Sequence, residues 1–266
     1  MDAVTRCLPA GLYTTFRTYD FRRRVLGLKS HLDRLYRPAH RLGVQPAVGR
    51  FPLRLQMASL LAKFPSPEAR LRLILVTRAE PGLIYILLEP LKTPSAMIYT
   101  YGVRVITTSA HRDHPALKST DFIEESQAER QGLSSSSAYE GLLVRNSRIL
   151  EGLTSNFFYV RGKSLGTVRR GVLAGVTRHQ VLHLAEGQGM SIDHHALRLS
   201  QVEEIDEAFL TSSSRGIVPI VTIDRQRVGS GKVGEWTRKL IAVYNREIER
   251  RAESILLADK SSSIWS

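Results

Sequence analysis

Three short segments of the chain carry more chemistry than a fold needs. In Gly175-Val176-Thr177-Arg178-His179-Gln180 a threonine precedes a glutamine by three residues, the pattern of a helix capping box. A helix that starts here presents free N–H groups and the positive end of its dipole, which suit a phosphate; a capped helix and nothing more explains the same residues. Thr211-Ser212-Ser213-Ser214-Arg215-Gly216 follows an apolar run. Its hydroxyls and backbone N–H groups can hold an anion or form a plain turn. In Leu150-Glu151-Gly152-Leu153-Thr154-Ser155-Asn156-Phe157-Phe158, Glu151 lies between an apolar strand and a polar turn that leads into another apolar strand. A carboxylate in that place is functional, paired, or a simple turn acid.

Other chemistry is poorly equipped. Gly229-Ser230-Gly231-Lys232 has Val233 where a phosphate loop needs serine or threonine, and the upstream glycine is missing. His179 and His183 are four apart on a helix, but Gln180 stands where a metalloprotease has glutamate and no third ligand is in view, so no metal is expected. His194-His195 has no partner at ligand spacing, and nothing resembles a nucleophile elbow. The single cysteine, Cys7, excludes an internal disulfide and a multi-cysteine zinc site.

A mixed α/β chain in two parts must position these segments. Hydrophobic residues are 42% and charged residues 24% of 266, the make-up of globular material, and no apolar run reaches the length of a spanning helix. The first ten residues hold no apolar run of signal-peptide length, so a reducing cytoplasm is the expected location. The pattern predicts a strand over 12–19, helices over 30–42 (Ser30 as N-cap) and 51–64, and strands over 70–77, 83–88 and 103–108. These make a small N-terminal domain, 1–108, followed by a linker, 109–116, and a large domain, 117–266. The large domain begins with a helix over 122–131 and a serine loop over 134–137. Short strands over 141–144, 157–160 and 164–167 follow, then a helix after Thr177, a strand over 207–211 and a closing helix over 234–257 with a frayed tail.

The net charge of +13 sits almost wholly in the first part: residues 1–116 carry 18 basic and 7 acidic side chains, residues 117–266 carry 20 and 18. No zinc finger, aromatic-and-basic repeat or RNA signature accompanies it. A basic surface that favours anionic substrates is therefore preferred over a nucleic-acid site.

Taken in order and at their spacings, the segments resemble the class IV aminotransferases, pyridoxal-phosphate enzymes of fold type IV that include branched-chain and D-amino-acid aminotransferases and aminodeoxychorismate lyase. The resemblance runs from Tyr13 to about Leu240. It rests on His31-Leu32-Asp33-Arg34-Leu35, Leu117-Lys118-Ser119-Thr120, Glu151-Gly152 with Ser155-Asn156, Gly175-Val176-Thr177-Arg178, residues 211–219 and residues 231–240. It implies a two-domain α/β enzyme, a homodimer, that moves an amino group between an amino acid and a 2-keto acid through a Schiff base on Lys118. Lys118 is one of eight lysines and the one at the family's catalytic position. The resemblance assigns Glu151 to the pyridine nitrogen, and Arg34, Val176, Thr177, Ser212 and Ser213, with Ser155 and Asn156, to the cofactor. Tyr13, Arg17 and Ser214 fall to the substrate. A lyase of the aminodeoxychorismate type, or a relative that binds the cofactor without turnover, is the alternative.

The chain also departs from the family pattern. Only twelve residues precede Tyr13, Thr14 replaces the usual acid after the aromatic, and Phe122 and Ile123 stand where the family often has tyrosine. Ala79-Glu80-Pro81-Gly82 does not supply the Arg-x-His carboxylate trap of the D-amino-acid enzymes. The amino donor and its handedness are left open.

Overall fold

Leu12, Thr14 and Phe16 alternate with Tyr13, Thr15 and Arg17 along the first strand, and that period of two decides what each face touches. The computed structural model describes residues 1–110 and 112–256, in two compact units: Met1–Lys92 together with the chain from Ile248 onward, and Thr93–Glu247.

In the first unit, α1 (Asp2–Arg6) precedes β1 (Gly11–Arg17) and the short β2 (Arg24–Leu26). Helices α2 (Leu28–Arg41) and α3 (Arg50–Ala62) follow, then β3 (Ala69–Val76) and β4 (Ile84–Pro90). β3 lies between β1 and β4 in an antiparallel three-stranded sheet. One face of β1 packs on α2: Thr14 Oγ1 is 2.7 Å from His31 Nδ1, and the Phe16 and His31 rings are 4.9 Å apart. α2 starts two residues before the expected Ser30, because Gly27 takes the left-handed conformation (φ 69°) that turns the chain out of β2.

The second unit holds α4 (Ala96–Tyr101), β5 (Val103–Thr108), α5 (Asp121–Glu125), α6 (Gln127–Ser135) and four strands: β6 (Glu140–Arg145), β7 (Arg148–Gly152), β8 (Asn156–Arg161) and β9 (Ser164–Gly166). Then come α7 (Val176–Gly187), β10 (Ser191–Asp193), β11 (Glu207–Ser212), β12 (Gly216–Ile223), β13 (Gln226–Arg227) and α8 (Glu235–Arg251). The strand order is β10-β9-β8-β11-β12-β5-β6-β7, and β7 pairs back onto β8, so six strands close into a barrel. Its interior is apolar: Val105, Leu142, Ile149, Phe157, Leu210, Val218 and Ile220 belong to one buried cluster. The closing pair is Glu151↔Asn156, which sets two of the candidate site residues side by side.

Three expectations change. The boundary at 108 moves: β5 lies between β12 and β6 in the barrel, so the second unit begins at Thr93. The helix over 122–131 breaks into α5 and α6 at the buried Ser126, whose hydroxyl donates to Phe122 O at 2.5 Å, and the first two serines of the 134–137 run end α6. The closing helix stops at Arg251, and β14 (Ala252–Ser254) pairs with β2. Arg54 fastens that strand from α3, with Nε donating to Ile255 O at 2.8 Å and Nη2 to Ser254 O at 2.5 Å, and Arg24 Nε donates to Ala252 O at 2.8 Å. The expected frayed tail after 257 lies outside the described residues.

The start of α8 is capped from a distance. Both oxygens of buried Glu207 accept backbone N–H groups, Trp236 N at 2.9 Å and Thr237 N at 2.7 Å, satisfying two donors that have no acceptor inside the helix. Replacing Glu207 with alanine should destabilise the protein by about 1–2 kcal/mol, the usual value of a lost cap, as read by urea denaturation.

Candidate active site

β7 carries Glu151 to the barrel seam and buries it. Its carboxylate is 2% exposed and held from three sides: Arg112 Nε donates to Oε1 at 3.0 Å, and Asn156 Nδ2 (3.2 Å) and Leu173 N (2.9 Å) donate to Oε2. Burial pushes the carboxyl up from its ordinary value, and Arg112, the Leu173 N–H and the charge of Lys118 offset that only in part. Lys118, half-buried in the stretch before α5, is therefore within electrostatic reach of Glu151. Arg178 is as well; burial lowers its pKa and Glu151 works the other way. Three cations thus surround one buried acid.

Arg112 falls inside the expected linker. Its guanidinium is nearly buried and stacks 3.7 Å from the centroid of Phe122. Phe122, at the position where the family often has tyrosine, thus backs the arginine that holds Glu151.

Asn156 spends both amide protons, on Glu151 and on Leu173 O at 2.8 Å. Its Oδ1 lies so close to Gly175 that a Cβ there would be 2.0 Å away. Gly175→Ala should push Asn156 off Glu151 and destabilise the protein by about 1–3 kcal/mol; thermal and urea denaturation beside the parent checks it.

α7 begins at Val176 with Gly175 as N-cap and without a side-chain cap, so the expected capping box does not form. The first intrahelical bond is His179 N to Gly175 O, which leaves the N–H groups of Val176, Thr177 and Arg178 without helical acceptors. The Thr177 hydroxyl meets another group: its Oγ1 is 3.3 Å from Ser213 Oγ, in the turn between β11 and β12. The two candidate anion segments therefore converge, on an uncapped helix end with two adjacent hydroxyls. Ser212 Oγ accepts from Arg215 Nε at 3.0 Å, Ser155 Oγ gives its only proton to Glu140 Oε1 at 2.9 Å, and Ser214 is half-buried in the same turn.

Tyr13, Arg17 and Arg34 belong to the first unit. Tyr13 and Arg17 share the face of β1 that does not carry Thr14 and Phe16. On that face buried Arg72 stacks 4.9 Å from the Tyr13 ring and donates to Thr15 Oγ1 at 3.1 Å; nothing in its sequence spacing singles it out. Arg17 lies over Tyr19, and Arg34 is half-buried on α2. Among the described residues no cluster of three or more histidine, cysteine, aspartate or glutamate side chains could hold a metal. No helix among them is long and apolar enough to cross a membrane.

The donor set fits pyridoxal phosphate: a buried acid for the ring nitrogen, an amine within its field, and uncapped N–H groups with paired hydroxyls for the phosphate. A barrel of this kind, in a chain with a smaller α/β unit, is the fold of branched-chain aminotransferases. The branched-chain amino acid aminotransferase of T.th., solved with pyridoxamine 5′-phosphate, matches at a TM-score of 0.76 and 20% identity, over 93% of this chain and 89% of its own. In sequence, the chain is 27% identical over 260 residues to D-alanine aminotransferase of Bacillus licheniformis, which covers 92% of this chain and 90% of the relative. It is 26% identical over 273 residues to aminodeoxychorismate lyase of Bacillus subtilis (strain 168), covering 96% and 89%. The family model for amino-transferase class IV matches residues 11–223. The chain belongs to the class IV aminotransferase family.

Proposed function

We propose that the protein is a pyridoxal-phosphate-dependent aminotransferase in which Lys118 and Glu151 carry the chemistry. The observation that carries this reading is the buried Glu151 carboxylate, held by Arg112, Asn156 and Leu173 N with the Lys118 charge acting on it. When bound, the cofactor supplies an aldehyde for amines and a ring that withdraws electrons from the substrate α-carbon. Lys118 Nζ anchors the cofactor and, once neutral, takes the α-proton and returns it. Three of the roughly four lone-pair positions of Glu151 are used by its neighbours, which leaves one that would hold a proton at the ring nitrogen of the bound cofactor.

Val176 N–H, Thr177 and Ser213 bind the phosphate at the α7 end, with Ser212 beside them, and Arg34 is assigned to the cofactor. Ser155 and Asn156, their protons committed to Glu140, Glu151 and Leu173 O, serve the cofactor by holding the seam rather than by donating to it. Tyr13, Arg17 and Ser214 are assigned to the substrate. A homodimer in a reducing cytoplasm completes the proposal, and light scattering of the purified protein tests the oligomer.

The relative named aminodeoxychorismate lyase favours one second reading, a lyase on the same residues. A visible absorption spectrum with pyridoxal phosphate, taken before and after a panel of D- and L-amino acids, separates the two. A transaminase gives a visible band that one donor bleaches in a single turnover and a 2-keto acid restores. A lyase turns over continuously and releases pyruvate with no keto acid added. A protein that takes up no cofactor is neither.

A further inference from the structure

Buried Glu140 and half-buried Arg215 form an ion pair that the chemistry above does not use. Glu140, the first residue of β6, is 2% exposed. Its Oε1 accepts from Thr154 N (2.7 Å), Thr154 Oγ1 (3.0 Å) and Ser155 Oγ (2.9 Å), and its Oε2 is 2.8 Å from Arg215 Nη1. Arg215 sits in the turn between β11 and β12. Each of its guanidinium nitrogens meets a different group: Nη1 Glu140, Nη2 Thr154 Oγ1 at 2.7 Å, and Nε Ser212 Oγ at 3.0 Å. Its carbonyl is held as well, by Tyr99 OH at 2.7 Å.

Both ends of this network abut the site. At one end, Gly152 follows Glu151 and lies so close to the network that a Cβ on it would be 2.3 Å from Ser155 Oγ and 2.7 Å from Glu140 Oε1. At the other, Ser212 precedes Ser213, whose hydroxyl faces Thr177. We infer that Glu140 and Arg215 are a positioning couple that sets the distance between the acid at the barrel seam and the hydroxyls at the α7 end, an inference that rests on the function proposed above. The planar fork of an arginine is what the arrangement needs. It spans three acceptors in fixed directions, whereas a lysine ammonium is a point charge on a flexible stem.

A merely stabilising pair would behave differently. If the couple served only to neutralise Glu140, Arg215→Lys would preserve everything by keeping the charge. As a positioning couple it loses its hold on Ser212 and Thr154, and the turn that carries Ser213 shifts relative to Glu151. The experiment compares the affinities of the parent, Arg215→Lys and Arg215→Ala for pyridoxal phosphate and for pyridoxal, with melting temperatures measured in parallel. We expect Arg215→Lys to melt near the parent yet to bind pyridoxal phosphate about tenfold more weakly, with pyridoxal changed by less than about threefold. Arg215→Ala should show the same selective loss together with a lower melting temperature, since it leaves a buried carboxylate unpaired.

An Arg215→Lys protein with the parent's ratio of the two affinities overturns the inference and leaves the proposed function standing. Equal weakening toward both ligands also overturns it, because a phosphate-end role cannot affect pyridoxal. A parent that does not prefer pyridoxal phosphate to pyridoxal overturns both.

Discussion

Lys118→Ala should lose its turnover with amino acids by about 10⁴-fold or more, because on the proposed function it removes both the covalent anchor of the cofactor and the base that moves the α-proton. The measurement is single-turnover spectroscopy on protein mixed with pyridoxal phosphate and the best donor found for the parent. The phosphate cradle proposed at the α7 end does not include Lys118, so the variant should still take up the cofactor, without the visible band of the parent. Lys118→Arg sharpens the result. It keeps a cation to act on Glu151 but cannot give up its proton near neutral pH, so it should be as inactive as the alanine variant. A Lys118→Ala protein with the parent's rate would remove this lysine from the reaction.

Arg112→Leu should be the most destabilising single change in the site, by about 3–5 kcal/mol at neutral pH without cofactor, the range found when one partner of a buried ion pair is removed. The change leaves Glu151 buried, with Lys118 and Arg178 as its remaining cations. Its pH dependence has a definite sign. The carboxyl of Glu151 is already raised by burial, so the folded protein holds that proton more tightly than the unfolded chain does. Stability is therefore lost as pH rises from the unfolded carboxyl value toward the raised folded one, and is regained as pH falls. Without Arg112 the folded value climbs further and the loss extends to higher pH. Urea denaturation of parent and variant across mildly acidic to neutral pH should show the steeper decline in the variant. A variant as stable as the parent at neutral pH would mean that Lys118 and Arg178 suffice to hold the acid.

What sequence can reveal of the site follows the range of the interactions that build it. The α7 terminus and the serine turn are legible because local patterns announce a helix start and a strand end. That same local pattern misassigns Thr177: Gly175 opens the helix, and the hydroxyl is spent on Ser213, 36 positions away. Arg112 looks like part of a solvated linker, because a partner 39 residues later leaves no trace in the spacing. Glu140 and Arg215 are hidden for the same reason. β12 is masked by Pro219, which argues against a strand. The structure tolerates it because the pairing of β12 with β5 begins one residue later, at Ile220. β14 follows α8 with neither glycine nor proline to break the helical period, and only β2, more than two hundred residues earlier, makes it a strand.

That last pairing has a consequence for how the protein is made. The three-stranded sheet, α2 and α3 emerge from the ribosome early, yet β2 has no partner strand, and Arg54 and Arg24 have no carbonyls to donate to, until residues 252–255 are synthesised. The barrel strands, all contained between Val103 and Arg227, are complete before then. Synthesis therefore completes the barrel strands before β14 exists, and the unit that holds β2 waits for β14 to lock it.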